Sequence, residues 1–297
     1  MKRDTFSTYN PLINFIFFIG AVALGMFFLH PALLCCSLLL SSAYYLTIHR
    51  RRGLKFLAAM IPLFVLLAAV NPLFNPNGQT VLFVYLGGRP YTLEALIYGA
   101  AIAAMFISIL IWFACYNAVM TSDKFLYIFG RTAPAISLVL SMILRLVPGF
   151  QRKAGQIAGA RRCIGKAGEA GTRREKIENG ITVLSTLTTW ALEGGIVTAD
   201  SMRSRGYGSG RRTSFAIYRF AGRDMALAAV MLLCVAAVLI CAGAGGAEAA
   251  FIPTLSLAHL NEPATATMSA AYFIFLAIPT VLNITEEIIW HILRSRI

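Results

Sequence analysis

Apolar residues in this chain run in long unbroken blocks. Six stretches, at 11–28, 32–48, 56–74, 95–119, 225–243 and 268–283, contain no Lys, Arg, Asp or Glu. Each approaches the roughly 20 residues that a helix needs to cross a hydrocarbon core of about 30 Å. None alternates apolar and polar positions as a lipid-facing barrel strand does. The pattern predicts an all-α, polytopic helical membrane protein with about six transmembrane helices, the third interrupted by Pro62.

The blocks divide the chain into residues 1–119 with spans one to four, 120–223 without a charge-free block of that length, and 224–297 with spans five and six. A connection as long as 120–223 needs structure of its own. It is expected to hold two helices, a basic one over 149–162 and a longer one over 181–205, joined by a charged, glycine-punctuated loop over 165–180. The second helix is expected to stop at Gly206, because glycine takes the left-handed position after a helix without steric cost. The stretch "APAISLVLSMILRLVP" (133–148) is apolar enough to suggest a seventh span.

Composition and charge sharpen this picture. Of the 297 residues, 58% are hydrophobic and 13% charged, against about 25% charged in a soluble domain. The apolar stretch near the N-terminus is too long for a secretory leader and lacks a small-residue cleavage site, so it reads as an uncleaved first span. With both termini cytoplasmic, 25 of the 26 Lys and Arg fall on the inner side and only Arg89 outside, whereas Glu248 and Glu262 lie in an outer loop. This agrees with the retention of basic residues in the cytoplasm. A crossing at 133–148 would export basic residues from Arg152 onward. Residues 120–223 are therefore placed in the cytoplasm or the inner interface of a cell membrane, with Arg131 and Arg145 snorkelling toward headgroups.

Catalytic chemistry finds little to stand on. Five of the six cysteines lie in apolar spans and Cys163 in the basic stretch, without CxxC spacing, which fits packing rather than disulfides or metal. The four histidines (His30, His49, His259, His291) lack metal-ligand spacing. "GARRCIGKA" differs from a phosphate loop, since five residues separate its glycines and Ala167 stands where Ser or Thr would hold Mg²⁺. Glu286 and Glu287 are expected to pair with Arg294 or the cytoplasmic helices. The reading is of a non-enzyme with no catalytic residue, metal or cofactor. Few aromatics interleave the arginines, which disfavours nucleic acid as a partner.

The remaining signal is "TWALEGGIVTADSMRSRGYGSGRRT" (189–213). Arg203 and Arg205 fall in the last turn of a helix, where the carbonyl ends favour cations. Arg211 and Arg212 suit a solvated end held by anionic membrane lipid. A helix ending in Arg-Gly also offers a guanidinium fork to carboxylates of a partner protein.

This stretch closely resembles the second coupling-helix region of the T component (EcfT/CbiQ family) of energy-coupling factor (ECF) transporters, an ABC-type importer family. The shared motif is Ala/Ser-Arg-Gly, here Ser204-Arg205-Gly206, with Asp200 upstream. "LRLVP", with Arg145 and Pro148, is similar to the family's Leu-Arg-Phe-Ile-Pro. The resemblance implies a coupling subunit that joins two ABC-type ATPase subunits to a substrate-binding S component for a vitamin or metal ion. Each coupling helix would insert its Arg-Gly end into a groove on one ATPase.

The first coupling motif departs from the family's Ala-Gln-Arg-Ala-Arg-Gly. In one register Gly165 matches and Ile164 replaces the arginine; in another, Ala160-Arg161-Arg162 supplies the arginine without the glycine. Two other readings are a self-contained permease, which should show inverted repeats and mid-bilayer ionisable groups, and a membrane protein with a lipid-binding basic loop.

Overall fold

The computed structural model describes residues 4–75, 78, 80–85, 89–165, 172–210, 218, 220–246 and 263–294. Arg211, Arg212, Glu248, His259 and Glu262 lie outside them. The helices are α1 Pro11–Phe27, α2 Pro31–His49, α3 Arg51–Phe74, α4 Leu93–Val119, α5 Ser122–Thr132, α6 Pro134–Cys163, α7 Arg173–Ser204, α8 Gly222–Cys241 and α9 Pro263–Arg294. Six of them (α2, α3, α4, α6, α8 and α9) are long and apolar enough to cross a membrane, and α1 is a shorter apolar helix. The chain is a polytopic helical membrane protein of all-α architecture.

The six predicted spans fall on α1 to α4, α8 and α9. Several boundaries differ from expectation. Residues 133–148 are not separate from the helix expected at 149–162: Pro134 occupies the first turn and one helix runs to Cys163. The helix expected at 181–205 begins at Arg173, inside the expected 165–180 connector, of which 166–171 lie outside the described residues. The Glu175 carboxylate accepts the Thr172 backbone N–H at 2.9 Å, half of a capping box.

The chain divides into two compact units, Met1–Phe125 with Tyr218–Ile297, and Leu126–Ile217. In the first, aromatic rings tie four helices together. Phe17 of α1 lies 5.6 Å from Trp112 of α4 and 5.1 Å from Phe275 of α9, and Tyr44 of α2 lies 6.2 Å from Trp112. Some polar groups inside this core are paired, whereas the fully buried Asn14 side chain has no hydrogen-bond partner among the described residues. Ser37 and Ser108 share a hydrogen bond, and Trp112 Nε1 donates to Ser37 Oγ at 3.2 Å. A Cβ added to Gly99 of α4 would stand 2.7 Å from the Ala68 carbonyl oxygen of α3, so only glycine permits this approach.

The α2–α3 connection is a one-residue corner. Arg50 closes α2 and opens α3 at φ 49°, the one described non-glycine residue with positive φ. Between α3 and α4, Val81–Tyr85 (β1) pairs antiparallel with Arg89–Thr92 (β2), a hairpin the apolar pattern does not announce. Glu94 in the first turn of α4 accepts from the Thr80 N–H at 3.1 Å and fastens the hairpin's root. Glu286 and Glu287 take partners other than those expected: Glu286 accepts from Thr5 Oγ1, and Glu287 pairs with Arg50 at 3.4 Å. α9 continues well past the apolar block and carries both carboxylates to the side where α2 turns into α3.

In the second unit, Phe150 of α6 meets Trp190 of α7 edge to face at 5.6 Å, and the Lys153 ammonium lies 5.7 Å from the same ring. Farther along α6, Arg161 Nε donates to Asn179 Oδ1. The partners descend along α7 as they ascend along α6, so the two helices run antiparallel through this stretch. Neither helix has a buried residue.

Candidate functional site

Both helices end on a glycine at positive φ. Gly206 adopts φ 78° after Arg205, its N–H donates to the Arg203 carbonyl at 3.0 Å, and the Tyr207 N–H donates to the Met202 carbonyl at 3.0 Å. These are the paired bonds of a Schellman closure. At the end of α6, Gly165 adopts φ 72° and donates to the Arg162 carbonyl at 3.0 Å. Arg162, Cys163, Ile164 and Gly165 thus take the backbone places of Arg203, Ser204, Arg205 and Gly206.

The side chains at these matching ends differ. The Arg203 and Arg205 side chains are exposed, and their guanidinium groups make no ion pair or hydrogen bond with any described residue. Both sit where the helix dipole favours cations. Ser204 Oγ donates to the Ser201 carbonyl at 2.9 Å, which turns the hydroxyl back on its own helix. In α6 the corresponding outward residue is Ile164, with 66% of its surface exposed. Ala160 and Arg162 are exposed as well, while Arg161 is half-buried and spent on Asn179.

The two helix ends lie far apart along the hairpin. Since Arg161 is level with Asn179, roughly 39 Å of helix axis at 1.5 Å per residue separates that level from Arg205. The α6 and α7 ends are consequently not halves of one pocket. Arg145 and Pro148 lie inside α6, about 24–28 Å of axis before Ile164, and both are exposed. Pro148 lacks the N–H that would continue the helical ladder, and Arg152 Nε donates to its carbonyl at 3.3 Å. Asp200 is exposed one turn before Ser204.

Sequence reading missed the groups that hold α6 against α7, namely Phe150, Lys153, Asn179 and Trp190. Their residue types carry no signal without the register between the helices. α6 is also amphipathic. Ser137, Ser141 and Arg145 follow one another every fourth residue, whereas Ile136, Val139, Ile143 and Val147 form an exposed stripe at helical spacing.

No protein-family model and no curated protein matches the chain.

Proposed function

We propose that this protein is the T component of an ECF-type ABC importer, a non-catalytic subunit of the cell membrane. It would transmit the movement of two ATPase subunits to a substrate-binding membrane subunit for a vitamin or metal ion. The observation that carries this reading is the pair of exposed helix ends, alike in backbone and far apart along the hairpin. One groove cannot receive both, whereas two partner subunits can. The arginines at the α7 end, unpaired among the described residues, suit an acidic groove, since a guanidinium gives bidentate hydrogen bonds to carboxylates.

The charge distribution supports the orientation. Both termini and the whole 120–223 segment are assigned to the cytoplasm, with 25 of 26 basic residues on that side. The exposed apolar stripe of α6 then lies in the inner leaflet with the Ser137, Ser141 and Arg145 face toward headgroups, which makes membrane lipid a further partner.

The test is purification of a tagged chain from cells that contain the candidate ATPases, with and without Arg205→Glu. The native chain should retain two ABC-type ATPase subunits. Truncating a buried charge pair costs roughly 2–5 kcal/mol, so the charge reversal should release the subunit held by α7 and abolish uptake while the membrane protein still accumulates. Normal recovery of both ATPases with Arg205→Glu would refute the role given to this arginine.

A further inference from the structure

A buried lysine holds the first turn of α5, the helix that leads into residues 126–217. Lys124, in the first turn of α5, is 6% exposed. Its ammonium donates to the Ser7 carbonyl at 2.6 Å, to Ser7 Oγ at 2.6 Å and to the Val119 carbonyl at 2.9 Å. All three donors of the ammonium are therefore used. Burial pushes this group below the ordinary lysine range, and the charge of Asp4 acts in the opposite direction.

Ser7 belongs to a short N-terminal segment that is itself stapled to two membrane helices. Asp4 accepts from the Tyr44 hydroxyl of α2 at 2.8 Å and from Asn283 Nδ2 of α9. The Thr5 N–H donates to Asn283 Oδ1 at 2.8 Å, and Thr5 Oγ1 donates to Glu286. Phe6 is fully buried and meets Phe17 edge to face at 5.2 Å. A solvated lysine at a helix start needs none of this, and an ammonium left in an apolar site without partners is costly.

We propose that Lys124 is a coupling residue that fixes the first turn of α5, the helix leading into the 126–217 arm, to the segment Asp4–Thr8. The proposal rests on the reading of that arm as the element that contacts the ATPases. Movement passed along α5 meets its first turn, and Lys124 supplies the restraint there. α2, α4 and α9 then feel a displacement of α5 together, because Ser7, Val119, Tyr44 and Asn283 belong to one hydrogen-bonded chain. Lys124 touches no partner in this scheme and acts as a positioning residue.

Two measurements test it with the full chain. In the first, amide hydrogen exchange is followed in the detergent-solubilised chain alone. Lys124→Met should speed exchange in 120–125 and in 4–8 while the centres of α2 and α9 are unchanged. Asp4→Asn and Ser7→Ala, which keep the lysine, should do the same to a smaller degree. Unchanged exchange in all three variants would overturn the tether.

In the second, the complex with its ATPases and substrate-binding subunit is placed in vesicles, and uptake is divided by ATP hydrolysed. Lys124→Met should lower this ratio by about tenfold, within the usual range for a lost coupling contact, while the ATPases still copurify. Uptake and hydrolysis that fall in proportion would overturn the coupling role, since a merely structural lysine would give that result. If the native chain recovers no ATPase, the T-component reading fails and the coupling role with it, and hydrogen exchange still decides the tether.

Discussion

Ile164 closes α6 in the backbone position that Arg205 occupies at the close of α7. Each precedes a glycine at positive φ, 72° for Gly165 and 78° for Gly206. The contrast in side chain on a shared backbone is the basis for expecting two different partners. An exposed isoleucine would suit an apolar socket, whereas an arginine offers bidentate hydrogen bonds to carboxylates.

Asymmetric recognition leads to asymmetric loss. Ile164→Asp should abolish binding of the ATPase held by α6, because a carboxylate driven into an apolar groove is desolvated without a partner. The double change Arg161→Ala with Arg162→Ala should be milder, as Arg161 is already engaged by Asn179. Pull-down with each ATPase separately provides the check. Equal loss of both ATPases from every variant would rule out the division of labour.

Gly206→Val should disturb the α7 end without unfolding the bundle. A β-branched residue at positive φ costs on the order of 1–2 kcal/mol, and the cost falls on an exposed terminus. ATPase retention should drop while accumulation in the membrane and the thermal midpoint of the bundle stay near native values. A large fall in midpoint would mean that this end is integral to folding.

Orientation can be read by chemical labelling in a variant without native cysteines. Ser209→Cys should react with an impermeant maleimide only after the cytoplasmic face is opened, and Leu82→Cys in β1 should react from outside. Both positions are exposed, so lack of reaction reports sidedness rather than burial. External labelling of Ser209→Cys would overturn the topology.

The α3–α4 contact should be sensitive to a single methyl group. In Gly99→Ala the new Cβ would stand 2.7 Å from the Ala68 carbonyl oxygen and 2.8 Å from Asn71 Cβ. Overpacking of this kind costs typically 1–3 kcal/mol. A lowered thermal midpoint in detergent is expected, with Gly155→Ala as control, since a Cβ there meets nothing within 4 Å. Equal midpoints for the two variants would contradict the close approach.

The membrane helices were legible because lipid demands long charge-free runs, and the end of α7 because Gly206 is a strong stop. The start of α7 was written as Thr172-x-x-Glu175, a capping box obscured by the glycines around it. The continuity of α6 was harder to see, since a change from apolar to basic at Pro148 looks like a boundary although the backbone passes through it. The pairs Arg161–Asn179 and Phe150–Trp190 depend on how one helix slides along another, which residue pattern does not encode. For the same reason residue pattern points Glu286 and Glu287 to Arg294 or the cytoplasmic helices, while Arg50 and Thr5 reach them through the fold.

The corner at Arg50 leaves no slack between two membrane helices. α2 ends and α3 begins on a single residue, with Gly53 pressed against Tyr45, Leu46 and His49. Inserting one amino acid at this point would rotate the whole of α3 by about 100°. Ala68 and Asn71 would swing away from Gly99. The corner therefore works as a phase setter for α3. A family of insertions of one to four residues should consequently show loss of α3–α4 packing followed by partial recovery as a full turn is regained.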